Sequence, residues 1–283
     1  MHAAAPASDD AADPVYDDGW QPNDDGGTGW AGGWILATNQ ADEPGEAGHQ
    51  VESSTTNGDG DSDAGGDIDT AGRAWGLFTQ RATGTQPQAS ALRYLANGSL
   101  EIGQTLSLEL DHGFDGVGFV GFDLLAGGSI RFDFRWSSGD DTYSYLTAQG
   151  TLDSGVAATD EGVRVEFTPT GADSFSLDVT PLDGRPTTTL TGELFQSGGI
   201  DLLRVFLQAD ATGVRADAFA NRIAVPEPGV DAARTAALVL VLVLALGFRA
   251  SATRFPRGRS RSGPGAGFPP GSRASPRGAA RAG

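Results

Sequence analysis

Between residues 73 and 225 apolar side chains fall on every second position, and that period decides which class of fold is open to this chain. In "TLSLELD", Leu106, Leu108 and Leu110 alternate with polar residues, and in "SIRFDFRW", Ile130, Phe132, Phe134 and Trp136 alternate with Arg131, Asp133 and Arg135. "VRVEF" repeats the pattern with Val163, Val165 and Phe167, "SFSLDV" with Phe175, Leu177 and Val179, and "DLLRVFLQ" and "FANRIAV" complete the set. A period of two sends one set of side chains into a core and the other into water. Turn signals at Asn97-Gly98, Gly127-Gly128, Ser138-Gly139-Asp140, Asp183-Gly184 and Gly198-Gly199 cut the runs to strand length. The expected fold is all-β, a jelly-roll-like β-sandwich, because two facing sheets bury such alternating Phe, Leu and Val positions at least cost.

Composition removes several kinds of chemistry. The chain has no Cys, which excludes disulfides, thiolate metal sites and a Cys nucleophile. There is no G-x-S-x-G, and the histidines are His2, His49 and His112, of which the first two fall in segments expected to be unstructured; a Ser-His-Asp site is not indicated. Gly116, Gly118 and Gly121 match the dinucleotide fingerprint by letters, but strand-like runs follow where a helix should open, so they read as strand glycines. Glu109 and Asp111 share a strand face, yet with 37 acids a chance pair is expected, and a glycosidase needs a controlled separation. The chain is not expected to be an enzyme.

Charge is uneven. Residues 229–283 carry nine Arg and one acid, Asp231, while the remainder carries ten Arg and 36 acids. An acidic body repels nucleic acid, so no nucleic-acid partner is expected. The Arg-rich end lies behind an apolar run and reads as a membrane-side segment.

Four parts follow. Residues 1–13 are expected to be a disordered leader or the remnant of a signal peptide; "HAAAPA" looks like the small-residue end of a cleavage region, which places the true start further upstream. Residues 14–225 form the β-sandwich, with an acidic loop over 41–66. Residues 226–254 hold a terminal signal with a transmembrane helix, and 255–283 a basic disordered tail. The run "AALVLVLVLALGF", residues 236–248, is unbroken; from Ala232 it counts 17 positions. At about 1.5 Å per residue that is about 25 Å, just short of a ~30 Å hydrocarbon core, a gap that a snorkelling Arg234 closes. Arg249, Arg254, Arg257, Arg259 and Arg261 follow, which orients the acidic body outward.

Two ligand classes are legible. Asp59, Asp61, Asp63, Asp67 and Asp69 alternate in a Gly-rich stretch and could supply several oxygens to Ca²⁺, although the spacing is not that of an EF-hand; the plain alternative is a solvated acidic loop, with Asp67 and Asp69 capping a turn into the strand at Trp75. Trp20, Trp30 and Trp34, beside Asp and Asn in "PVYDDGWQPNDDGGTGWAGGWILA", could form a carbohydrate platform, joined by Tyr143 and Tyr145; the alternative is a core role.

The stretch "VPEP" (Val225, Pro226, Glu227, Pro228), then Ala236–Phe248, then Arg249, resembles the carboxy-terminal sorting signal of PEP-CTERM proteins. "YDDGWQPNDDGGTGWAGGWILA", "GDIDTAGRAWGLF" and "IDLLRVFLQADATGVRADAFANRIAV" also resemble a β-domain found in front of that signal. The chain departs from the pattern by running on beyond Arg249 and by carrying Asp231 and Arg234 in the spacer. The resemblance implies export, an exosortase-like processing enzyme as partner, transient anchoring through residues 232–248, and delivery to the cell envelope or extracellular matrix. The resulting expectation is a structural or adhesive envelope protein. The alternatives are a lectin-like module that binds extracellular polysaccharide, and a retained tail-anchored protein.

Overall fold

The alternating runs fold into two facing antiparallel sheets. The structure is a computed structural model that describes residues 6–39, 46–56, 68–81, 86–96, 98–210 and 213–226. Its strands are β1 (Ala7–Asp9), β2 (Ile35–Asn39), β3 (Glu46–Glu52), β4 (Ala74–Gln80), β5 (Gln88–Tyr94), β6 (Leu106–His112), β7 (Val117–Ala126), β8 (Ser129–Ser137), β9 (Thr142–Thr147), β10 (Gly150–Ala157), β11 (Val163–Pro169), β12 (Ser174–Pro181), β13 (Thr188–Glu193), β14 (Leu202–Ala209) and β15 (Arg215–Val225). The first sheet runs β13-β12-β11-β6-β15-β4-β3, with β1 added against β15; the second runs β10-β9-β8-β7-β14-β5-β2. The glycines of 116–121 lie at and within the start of β7, as the sequence predicts. Among the described residues there is no α-helix, and no helix is long and apolar enough to cross a membrane. The predicted helix Ala236–Phe248 lies outside the described residues.

The inward faces interlock. Leu106, Leu108, Leu110, Val163, Val165, Phe167, Phe175, Leu177 and Val179 come from the first sheet, and Phe122, Leu124, Phe132, Phe134, Leu203, Val205 and Leu207 from the second; all are buried in one cluster. Phe132 links the layers, with its ring 4.8 Å from Phe167 and 4.9 Å from Phe175. Full burial of one such ring contributes roughly 1.5–3 kcal/mol. Ile130 departs from the expected alternation. Leu124 opposes Phe132 but Leu125 opposes Ile130, so Arg131 is the extra residue of a bulge and the phase shifts there.

Two segments are more ordered than the sequence predicts. Within the expected leader, β1 pairs Ala7, Ser8 and Asp9 with Val225, Ala224 and Ile223, and Ala7 and Ala11 are buried. Within the expected acidic loop 41–66, β3 pairs along its whole length with β4, and a 3₁₀ turn follows at Ser54–Thr56. Neither has a strong apolar period; long-range pairing to an existing strand orders them. His49 therefore sits in a strand, with Nε2 2.9 Å from the Ser90 carbonyl oxygen.

The segment from β1 to β2 is fastened through a buried arginine. Arg93 of β5 points inward, is fully buried, and lies over the rings of Trp30 and Trp34 at 5.4 and 5.3 Å. It pairs with Asp9 at 3.2 Å and Asp25 at 3.0 Å, and donates to the carbonyl oxygens of Asp24 and Gly26. The Tyr16 hydroxyl donates to Asp9 at 2.6 Å, and Trp34 Nε1 donates to the Tyr16 oxygen at 3.0 Å. Burial pushes the Asp9 carboxyl up to about 6, against the pull of Tyr16 and Arg93. Gly27, at φ +67°, permits the close return of this segment: a Cβ there would stand 1.9 Å from the Ser8 carbonyl oxygen.

Candidate functional site

The residues between the inward positions of the second sheet form its outer face. β14 contributes Leu202, Arg204, Phe206 and Gln208; β7 contributes Leu125, Asp123, Gly121 and Phe119; β5 contributes Tyr94, Leu92, Ser90 and Gln88. β8 contributes Asp133, Arg135 and Ser137, and β9 adds Leu146 and Ser144. Register aligns them in rows across the strands. One row reads Leu92, Arg204, Asp123, Asp133, Leu146; the next reads Ser90, Phe206, Gly121, Arg135, Ser144. No third layer of secondary structure is present among the described residues. Even so, Leu125, Leu202 and Phe206 are buried without belonging to the cluster between the sheets. Phe206 is covered by the Arg204 guanidinium group and the edge of the Phe119 ring.

Two carboxyls lie beneath two guanidinium groups. Asp123 and Asp133 are direct cross-strand partners and both are buried. Arg204 pairs with Asp123, its Nε donating at 2.6 Å, and Arg135 approaches Asp133 at 3.5 Å. Burial raises both carboxyls; Asp133, further raised by the charge of Asp123, reaches about 7. As direct cross-strand neighbours the two carboxyls disfavour double ionisation, which burial reinforces. Above them the guanidinium groups lie on aromatic rings, Arg204 at 5.5 Å from Phe206 and Arg135 at 5.8 Å from Phe119. Their side chains remain 28% and 34% exposed. Solvent therefore meets pre-ordered donor planes bordered by the Phe119 ring, exposed Tyr94 and the amides of Gln88 and Gln208. Such a surface offers hydrogen bonds in fixed directions and apolar contacts between them.

The outer face of the first sheet differs. Glu109 is buried between Arg164 at 2.6 Å and Arg222 at 2.8 Å, and Arg222 occupies a bulge of β15 at φ +48°. Towards β11–β13 stand Ser107, Glu166, Ser176, Asp178, Thr189 and Thr191; towards β4 the same face carries Phe78 under the Arg215 guanidinium group and Phe219 buried with Ile68 and Ala74. Asp111, paired with Glu109 in the sequence reading, is fully buried.

The residues singled out from the sequence distribute as follows. Trp20, Trp30 and Trp34 are only 3%, 8% and 1% exposed, and pack with Trp75, Tyr16 and Arg93. They are core side chains and present no platform to a sugar; the Gly-rich turns that looked like a surface loop fold back over them. Tyr143 and Tyr145 are buried as well. Asp69 caps the 3₁₀ turn, accepting from Ser53 Oγ at 2.6 Å and from the Ser54 N–H at 2.8 Å, rather than capping an approach to Trp75. Asp59, Asp61, Asp63 and Asp67 lie outside the described residues; among the described residues no group of three His, Cys, Asp or Glu could hold a metal ion. Val225 ends β15 and Pro226 is exposed, while Glu227, Pro228 and Arg249 lie outside the described residues. The Asp123–Asp133 pair and its arginines were not singled out, although the alternation of "RFDFR" with "GFDLL" and "LLRVF" carries their signal.

No protein-family model and no curated protein matches the chain. Among solved structures it is similar to the family 11 carbohydrate-binding module from Clostridium thermocellum, in complex with a β-1,3-1,4-mixed-linked tetrasaccharide, at 9% identity and TM-score 0.33, covering 79% of this chain and 97% of that one. It is similar to a carbohydrate esterase from a Shiga toxin-encoding bacteriophage at 14% identity and TM-score 0.42, covering 69% and 89%. It is similar to a sialidase at 11% identity and TM-score 0.42, covering 55% of this chain but spanning only 15% of the sialidase. Identities and TM-scores are low, and the site is read from its own geometry.

Proposed function

We propose that the chain is a carbohydrate-binding β-sandwich of jelly-roll type that seats an extracellular polysaccharide on the outer face of its second sheet. The observation that supports this most is the band of Tyr94, Phe119, Arg135 and Arg204 on a sheet face that no layer covers among the described residues, its guanidinium groups held by Asp123 and Asp133. Sugar rings carry hydroxyls at their edges and C–H groups on their faces, and rigid donors beside aromatic rings match both. A flat face built on central strands suits a long chain better than a small solute. Affinity electrophoresis of the full chain through gels containing neutral and acidic polysaccharides tests the reading. Retardation by at least one class, lost in Tyr94→Ala and Arg135→Gln with unchanged melting, is expected. Free migration of the wild type through every polysaccharide overturns it.

Delivery is a separate part of the proposal. The PEP-CTERM-like signal would carry the body out of the cell, with an exosortase-like enzyme cutting near Pro228 and the domain left in the envelope or matrix as an adhesive component. The end of β15 at Val225 supports it, since the last ladder pair, Ala7 with Val225, precedes Pro226, and a cut near Pro228 leaves the described strands whole. Terminal peptides of the native protein from fractionated cells test it. A mature end near Pro228 is expected; a chain intact through Arg249 in the inner membrane would instead mean a retained anchor.

A further inference from the structure

At one end of the sandwich a cavity of about 380 Å³ opens between the β11–β12 turn, the segment leading into β6 and the crossover from β13 to β14. Its wall is apolar, from Leu100, Ile102, Pro169, Leu194 and Ile200. Ile102 stands at its rim with 63% of its surface exposed, more than any other large hydrophobic side chain among the described residues. One cation lines it. Arg131 is the extra residue of the β8 bulge, which turns its side chain away from the outer face and into this end of the fold, where it is 2% exposed. Its Nε donates to the Gln196 carbonyl oxygen, and its Nη2 to the Ala172 carbonyl oxygen and to Asp173 at 2.8 Å. Nη1 has no hydrogen-bond partner among the described residues. Nη1 is not sealed from solvent, so a ligand oxygen that enters the hollow can accept from it in place of water.

The chemistry of that acceptor can be narrowed. Asp173 already offsets the charge of Arg131, and the body as a whole is strongly acidic, so an anion gains little here. Asp173 is 59% exposed and has a second carboxylate oxygen to accept with. A donor and an acceptor side by side, with an apolar wall next to them, complement an amide that carries a small alkyl group. We propose that this cavity binds a 2-acetamido sugar. The acetyl carbonyl oxygen accepts from Arg131 Nη1, the amide N–H donates to Asp173, and the methyl group packs against Leu100, Ile102 and Pro169. The amide half of this inference rests on the cavity alone; the sugar half rests on the glycan reading. The cavity and the outer face of the second sheet are separate sites.

Saturation-transfer NMR on the full chain tests it, with triacetylchitotriose, cellotriose and N-methylacetamide as probes. Strongest saturation at the acetyl methyl protons of triacetylchitotriose is expected, with affinity at least about tenfold above cellotriose, a difference of ≈ 1.4 kcal/mol. Ile102→Glu, at an exposed site that leaves the fold intact, should abolish it, and Arg131→Met should do so if that variant melts like the wild type. Tyr94→Ala should leave it unchanged, which separates this site from the sheet face. Equal saturation of cellotriose and triacetylchitotriose, binding that survives Ile102→Glu, or binding of N-methylacetamide without the sugar overturns the proposal. Loss of polysaccharide retention in Tyr94→Ala with triacetylchitotriose still bound would leave both sites standing. A wild type retained by polysaccharide but silent toward triacetylchitotriose would remove this one alone.

Discussion

The two outer faces of the sandwich obey the same alternation and yet carry different chemistry. On the first sheet the outward positions of β11 to β13 are Ser, Thr and charged residues, whereas towards β15 and β4 the face buries Phe219 with Ile68 and Ala74, buries Asp111, and buries Glu109 between two half-exposed arginines. On the second the outward positions bury Leu125, Leu202 and Phe206 away from the core, and bury two carboxyls side by side. The β11–β13 half of the first face is what solubility asks of a sheet. The second sets two adjacent buried carboxyls under partly exposed guanidinium groups that lie on the rings of Phe119 and Phe206, and that arrangement is the ground for placing a ligand there.

The comparison breaks most sharply at the buried charges. Arg204→Ala strands Asp123, and removal of one partner of a buried pair costs about 3–5 kcal/mol. The loss should be larger at pH 8 than at pH 5, because burial already raises the Asp123 carboxyl and removing the cation raises it further, so protonation relieves the stranded charge as pH falls; urea denaturation at both values reads it. On the first face Glu109→Gln should cost only about 1 kcal/mol, because Arg164 and Arg222 keep contact with water.

Acidity sharpens the comparison next. Asp133 and Asp9 hold protons up to about 7 and about 6, against an ordinary 3.8, so between these values the folded state binds more protons than the unfolded chain. The stability they contribute is complete below about 4 and is lost as pH rises through 6 and 7. Melting temperature should therefore climb from pH 8 to pH 5, and Asp133→Asn should flatten the part of the climb nearest neutrality. Asp13 works oppositely: the Val15 and Gly27 N–H groups hold its carboxyl below the usual range, and its contribution fades only at lower pH. A melting temperature independent of pH over that interval would contradict the buried pair.

The smallest effects on stability should be the most informative about function. Tyr94→Ala and Thr189→Ala, on opposite faces, should each change unfolding free energy by no more than about 0.5 kcal/mol, as exposed substitutions do. Retention on polysaccharide should fall about tenfold or more for the first, ≈ 1.4 kcal/mol of binding, and stay unchanged for the second.

The strands and their inward residues could be read from the sequence because a period of two is local: Leu106, Leu108 and Leu110 announce their face without help from the rest of the chain. What depends on partners distant in sequence could not. β1 and β3 owe their order to β15 and β4, far along the chain. Arg93 sits in a strand where a charge reads as outward, and only Asp9, Asp25 and two carbonyl groups from the opening segment make its burial tolerable. Bulges have no periodic signature, so neither the turning of Arg131 nor that of Arg222 was visible. The indoles of Trp20, Trp30 and Trp34 looked like a surface platform because Gly and Asp surround them; those residues make the turns that wrap the rings, and Gly27 shows how tightly. The outward residues "FD", "RFDFR" and "LLR" were readable as a face, but not as a site, since the pairing of Asp123 with Asp133 depends on register.

The central claim is that the second sheet's outer face holds the ligand, and methyl NMR of the full chain with the polysaccharide that retains it tests this most directly. Leu92, Leu125, Leu146 and Leu202 stand on that face, while Leu106, Leu108 and Leu177 stand in the core of the first sheet. The account predicts shifts confined to the first four. Shifts confined to the first sheet, or none with ligand bound, would contradict it.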